Sequence, residues 1–182
     1  MDEQKKYLEK SGFVGSKMHF GIFPNKITNG INLEIADLTH QEKKIMLIDV
    51  GTNPRNMKGF GEFARKYPDL VIIVAHLGSL MPEVIEAARK YDNVYLDMAG
   101  YPITKNNLGR VLEIVGASKI IFGSDATIGG NIQDSLKTLN SLGLAPRKKE
   151  LILSGNILHV AGDIITKRKL EKLTFPVEIN KN

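Results

Sequence analysis

The chain has 182 residues, 42% of them hydrophobic and 25% charged, which is enough for one domain with a buried core. Cysteine is absent, which excludes disulfides and thiolate metal sites and fits a reducing compartment. The net charge is +5, part of it in "TKRKLEKL" at 166–173, but that stretch has little aromatic interleaving and no nucleic-acid-binding motif, so it reads as a solvated helix face.

The first twelve residues, "MDEQKKYLEKSG", are charged and amphipathic and carry no apolar signal core. No apolar run is long enough to span a membrane, so the expectation is a cytoplasmic protein. The first strand is predicted at 13–19, "FVGSKMH". A Gly-, Pro- and Asn-rich stretch, 20–32, follows it as a long loop of the kind that often carries function, and then a short helix at 33–43. Strands are predicted at 45–50, 70–76, 93–98 and 119–125. The helices between and after them fall at 54–67, 81–91, 104–116 and 130–142. Several of the strands are continuously apolar, as parallel strands covered by helices are. "PEVIEAARKY" places Pro82 at a helix start and Arg89 and Lys90 near its end, where cations suit the helix dipole. The last stretch, 163–182, reads as a helix and a frayed tail of one domain covering 1–182. Repeated strand–helix units predict an α/β fold with a parallel sheet.

Polar or ionisable residues stand at the ends of all five predicted strands. Lys17 and His19 share a face of the first strand. Asp49, His76, Asp97 and Asp125 lie at or just past the C-terminal ends of the others, where parallel α/β proteins gather their catalytic groups. Each has a plain alternative: Asp49 an Asx-turn, Asp125 a cap for the following turn or helix, His76 a satisfied loop histidine, Lys17 a snorkelling side chain. His40 and His159 fall on helical stretches as surface or packing residues. Taken together, imidazoles and carboxylates at neighbouring strand ends suit a divalent ion, zinc before manganese. Such an ion lowers the pKa of bound water and polarises a carbonyl. Asp125 is then the candidate base and ligand and His76 the ligand or electrophilic partner, with His19 and Asp97 assigned to substrate contact.

The motifs "GFVGSKMHF", "FARKYPDLVIIVAHLGS", "EAARKYDNVYLDMAGY", "IVGASKIIFGSDA" and "LILSGNILHVAG" occur in that order between residues 12 and 162. The last four closely resemble the C-terminal part of the amidohydrolase-related superfamily, and the first resembles the glycine–lysine–histidine strand in the middle of those proteins. The resemblance implies a TIM-barrel-like, metal-dependent hydrolase of small molecules, with decarboxylation in one branch. It places Asp125 on the last-strand metal-ligand aspartate and His76 on the sixth-strand histidine. Lys17 falls near a position that is a carboxylated, metal-binding lysine in some branches.

Two departures qualify the likeness. No His-x-His pair occurs anywhere in the chain, and its first strand resembles the fourth of eight, so the barrel is expected to lack its first three strands. In "LIDVGT", Asp49 stands where the family has a metal-binding histidine; a carboxylate can still bind a divalent ion, but it favours harder ions and weakens Lewis acidity. A partial barrel exposes strand edges and an apolar interior, here expected to be lined by Ile72, Val74 and Ile121. Another copy of the chain, an N-terminal partner subunit or a rearranged sheet is expected to cover them. The function read from the residues and the resemblance together is metal-dependent hydrolysis; the alternative is a non-catalytic remnant or partner subunit that binds a ligand or another chain.

Overall fold

The computed structural model describes residues 2–167 apart from 10–12, 23–24, 101–102 and 127. Helix α1 (Asp2–Leu8) precedes strand β1 (Gly15–His19), then α2 (Gly30–Gln41) and β2 (Ile45–Asp49). Next come α3 (Phe60–Lys66), β3 (Ile72–Val74), α4 (Pro82–Lys90), β4 (Val94–Asp97), α5 (Lys105–Val115) and β5 (Ile120–Ile121). Helices α6 (Ile132–Ser141), α7 (Pro146–Glu150) and α8 (Asn156–Lys167) close the described chain. The five strands form one parallel sheet in sequence order, as the alternation of apolar runs and helical stretches predicts.

Local chemistry sets the boundaries. Asn29 starts α2, its side chain accepting the Ile31 N–H at 3.2 Å, so the helix begins three residues before the expected 33. The expected helix 54–67 is broken at Gly59, whose φ of 88° is left-handed, into a short 3-10 turn at Pro54–Met57 and α3. The strand expected at 119–125 is only two residues long, because the Phe122 N–H turns to the Ile152 carbonyl at 2.9 Å. That carbonyl is freed by a π-turn at Leu151–Gly155 between α7 and α8. Asn156, buried at the start of α8, donates from Nδ2 to the carbonyls of Ala117 and Ile120 at 2.7 Å each. The outer side of β5 is thereby closed by the chain's own helix.

Strand parity divides the core in two. Met46, Ile48, Ile72, Val74, Val94, Leu96 and Ile120 face outward and pack with α3, α4 and α5 residues such as Phe60, Val84 and Leu108. Ile45, Ile73, Tyr95 and Ile121 face inward, with Leu47 and Val71 beside them. Val160, Ala161 and Ile157 of α8 pack on this inner set. Two expectations change accordingly. Ile72 and Val74 belong to the helix-covered face, since the pleat puts their neighbour Ile73 inside; of the three named residues only Ile121 is interior. The interior is not left bare either, because α8 lies over it. The C-terminal helix expected from 163 therefore begins at Asn156, and 168–182 lie outside the described residues.

Candidate active site

The parallel register puts Lys17, Leu47, Ile73 and Tyr95 in one row across the inner face and His19 beside Asp49 above it. Leu47, Ile73 and Tyr95 of that row belong to the apolar cluster with α8, whereas the row above it is polar. The ionisable residues therefore gather at the C-terminal rim of the sheet.

Asp49 is at the centre of the cluster. Its Oδ2 lies 3.2 Å from His19 Nε2 and 3.2 Å from His76 Nε2. Its Oδ1 accepts the Gly51 N–H at 3.0 Å, so the Asx-turn and the contact with imidazoles are both present in one side chain. Asp49 is buried, with a side-chain exposure of 8%, whereas His19 is 34% exposed and open to a ligand. Gly51 has a φ of 63°, and a Cβ there would come within 2.7 Å of the Gly21 nitrogen. Glycine at both positions lets the loops after β1 and β2 meet closely.

His76 sits on an unusual backbone. His76, Leu77, Gly78, Ser79 and Leu80 all have positive φ, between 43° and 59°, so the chain leaves β3 in a left-handed turn. Each non-glycine residue in that region costs roughly 1–2 kcal/mol. Asp97 offsets this cost: its Oδ1 accepts the backbone N–H of His76 at 2.8 Å and of Ala99 at 3.0 Å, tying the loops after β3 and β4 together. Leu77 is fully buried, and a Cβ on Gly78 would meet Val84 Cγ1 at 2.6 Å. The His76 ring is oriented from its other side by Ala99, whose carbonyl accepts Nδ1–H at 2.8 Å.

These contacts set the proton chemistry. Burial works against the charged form of His76, but the Ala99 carbonyl and the negative charges of Asp49 and Asp97 outweigh it, and its pKa lies above the ordinary value. Burial pushes the Asp97 carboxyl up, against the pull of the two backbone N–H groups and of the His76 and Lys17 charges.

Asp125 and His76 lie on either side of Gly100. A Cβ on Gly100, where φ is 61°, would stand 2.9 Å from Asp125 Oδ2 and 3.2 Å from His76 Nδ1, so the carboxylate and that nitrogen flank one point. Asp125 itself has a φ of 52°, and its carbonyl accepts the N–H groups of Ile128, Gly129 and Gly130 at 3.2, 3.1 and 3.1 Å. A side chain on Gly129 would collide with Asp125 Oδ2. Helix α6 is capped by Asn131, which accepts the Asp134 N–H at 2.8 Å, and not by Asp125. Lys17 projects from the exposed inner side of β1, and a hollow of about 360 Å³ beside this strand is lined by Lys17, His19, Asn25, Ile31, Asn32 and Ile35. His40 packs its ring against Tyr67, and His159 is exposed.

The structure thus brings His19, Asp49, His76 and Asp97 into one hydrogen-bonded group, with Asp125 across Gly100 from His76 and Lys17 one row below. The Ala99 carbonyl and Gly100 escape a reading of side-chain chemistry, although the glycine in "LDMAGYP" is their signal.

The donor set does not fit a divalent ion in this arrangement. Both Nε2 atoms converge on one carboxylate oxygen of Asp49. Among the described residues no group of three or more His, Asp or Glu side chains is placed to hold a metal. No helix among them is long and apolar enough to cross a membrane.

The family model described as Amidohydrolase matches residues 1–159. No curated protein matches the chain in sequence. Among solved structures, a dihydroxybenzoic acid decarboxylase from Polaromonas sp. JS666, with bound manganese and the inhibitor 2-nitroresorcinol, superposes with a TM-score of 0.68 at 16% identity, covering 93% of this chain and 67% of that one. A probable 2-pyrone-4,6-dicarboxylic acid hydrolase from Acinetobacter baumannii, with citric acid bound, gives 0.66 at 14% identity over 83% of this chain and 65% of that one. A 5-carboxyvanillate decarboxylase from Sphingomonas paucimobilis gives 0.67 at 9% identity over 87% and 61%. A 2,6-dihydroxybenzoate decarboxylase complexed with 2,6-dihydroxybenzoate is covered to 65% of its length. The shared feature is the fold: this chain corresponds to about two thirds of a barrel protein.

Proposed function

Because the chain belongs to the amidohydrolase family, we propose that its strand-end cluster binds and hydrolyses a small carboxylic acid derivative, with His76 and Asp49 handling the proton. The observation that carries this reading is the suspension of the His76 imidazole between Asp49 Oδ2 and the Ala99 carbonyl, 3.2 and 2.8 Å away. A histidine with a raised pKa beside a buried carboxylate is poised to protonate a departing oxygen or nitrogen. Asp125, across Gly100 from His76, is the candidate to take the proton from an attacking water. Lys17 opens toward the hollow beside β1, a volume suited to a small ligand, and offers it a cationic group, with the His19 ring in its wall. Structural neighbours named for small aromatic or dicarboxylic acids support an acidic substrate. Zinc or manganese is the ion the family resemblance implies; the donor set as arranged does not fit it, and no step here runs through an ion.

The second reading is ligand or partner binding without turnover. It is favoured by the outer edge of β1, which pairs with no strand among the described residues and is flanked by exposed Phe13, Val14, Ile22 and Ile31. A second copy or an N-terminal unit would join there.

The test is product detection by NMR across small carboxylated esters, amides and lactones, with His76→Gln and Asp49→Asn alongside. Turnover by the native chain that both variants abolish supports hydrolysis. Saturable binding without product supports the second reading and overturns the first.

A further inference from the structure

The cause of the poor fit to a divalent ion can be traced to one residue. We propose that Asp49 turns His19 and His76 into hydrogen-bond donors, so that this site is filled by a His19–Asp49–His76 proton chain in place of a divalent metal. The proposal rests on reading this cluster as the family's site.

The assignment follows from each ring's partners. The Gly21 N–H donates to His19 Nδ1 at 3.2 Å, and an accepting nitrogen carries no proton. The His19 proton is therefore on Nε2, the atom that faces Asp49 Oδ2 at 3.2 Å. The only lone pair of that ring is already engaged by backbone. For His76 the order is reversed: Nδ1 lies 2.8 Å from the Ala99 carbonyl, which can only accept, so Nδ1 carries a proton. Its Nε2 faces the same Asp49 oxygen at 3.2 Å, where a bare lone pair would oppose a carboxylate and an N–H completes a hydrogen bond. Asp49 Oδ1 is held by the Gly51 N–H at 3.0 Å, which keeps Oδ2 aimed between the rings.

A metal needs lone pairs converging on one empty point, whereas these rings present N–H groups converging on an oxygen. Binding an ion through His19 Nε2 would move its proton to Nδ1 and break the bond from Gly21. Binding through His76 Nε2 would require Asp49 to turn away from two partners and from Gly51. Asp125 does not complete a set either, since among the described residues no group of three or more His, Asp or Glu side chains is placed to hold an ion. An imidazole at position 49 would remove the shared acceptor and restore a lone pair.

The experiment is calorimetric titration of the full chain with Mn²⁺ and separately with Zn²⁺, combined with long-range ¹H–¹⁵N correlation of the histidine rings. The native chain is expected to bind neither ion stoichiometrically, to show His19 as the Nε2–H tautomer, and to show His76 with both nitrogens protonated at a pH below the ordinary histidine value of 6.5. Asp49→His is expected to bind at least one of the ions about 10–100-fold more tightly than the native chain. Should that variant fail to fold, the ring spectra of the native chain decide the matter alone. One equivalent of either ion held by the native chain and lost in His76→Gln, or a His19 proton found on Nδ1, would overturn the proposal. Absent turnover with no ion bound would sink the hydrolytic reading and leave the proton chain standing. Turnover that depends on a bound ion would do the reverse.

Discussion

Asp97 Oδ1 accepts the backbone N–H of His76 at 2.8 Å, so a carboxylate at the end of β4 holds the loop that leaves β3. The same oxygen takes the Ala99 N–H, and the Ala99 carbonyl takes the His76 ring. Asp97 thus grips His76 through its backbone directly and through its imidazole by way of Ala99. Assigned from sequence to substrate contact, Asp97 has a positioning role visible in these bonds. Replacing it with Ala leaves two N–H groups in a largely buried place and is expected to cost about 3 kcal/mol. Asp97→Asn keeps an accepting Oδ1 and removes a carboxylate that burial disfavours, so it should cost less than about 1 kcal/mol. Urea unfolding of the two variants checks the difference, and equal losses would show that the acceptor does not matter.

Gly100 separates two charged groups by having no side chain. A Cβ would meet Asp125 Oδ2 and His76 Nδ1, and the φ of 61° adds backbone strain. Gly116 and Gly143 have comparable positive φ, 80° and 62°, but open space around the position of a Cβ. Ala at either of those sites should cost only the left-handed backbone, roughly 1–2 kcal/mol. Gly100→Ala should cost more and should also shift the His76 ring resonances, which the two control substitutions should leave in place. Chemical denaturation with histidine NMR reads both effects.

The raised pKa of His76 fixes the sign of a pH effect. The folded state binds the proton more tightly than the unfolded state, whose imidazole keeps the ordinary value of 6.5. The stabilisation is fully present below that value and is lost as pH rises through the folded pKa. Asp97 is also raised, so its slope has the same sign but lies in the window that starts at its ordinary carboxylate value of 3.8. Unfolding free energy measured against pH should therefore fall on the alkaline side of 6.5, and His76→Gln should flatten that limb. A native curve that rises there would refute the assignment.

The polar rim is legible in the sequence because two simple signals agree. Apolar runs locate the strands, and the first ionisable residue after each run falls at or just past its C-terminal end for Asp49, His76 and Asp97, whereas in β1 Lys17 comes before the terminal His19. The side-chain directions are harder to read. Nothing in "LIDVGT" says that Asp49 will gather two imidazole N–H groups, since this depends on backbone partners at Gly21 and Ala99. Within "AHLGSL" only Gly78 hints at the left-handed turn, because the stabilising carboxylate lies 21 residues beyond His76 in the chain. Similarly, continuous apolar strands such as "VIIV" conceal which residue faces inward, which is how Ile72 and Val74 come to be assigned to the wrong face.

The position of α8 is the feature least visible in sequence and the one with the clearest structural consequence. "NILHVAGDII" has an apolar stripe but no mark that tells an inner from an outer berth. In the structure Val160 is 8% exposed and Ala161 5% exposed against Ile45, Ile73, Tyr95 and Ile121, whereas Leu158 on the other side of the helix is 61% exposed. Val160→Asp places an unpaired charge among these side chains and is expected to cost about 3 kcal/mol. Leu158→Asp should change stability by no more than about 0.5 kcal/mol. Because α8 covers the inner face, displacing it should also uncover an apolar surface. Val160→Asp should therefore bind an apolar reporter dye and self-associate in sedimentation, and Leu158→Asp should do neither. If both variants behave alike, α8 does not occupy the inner face in solution.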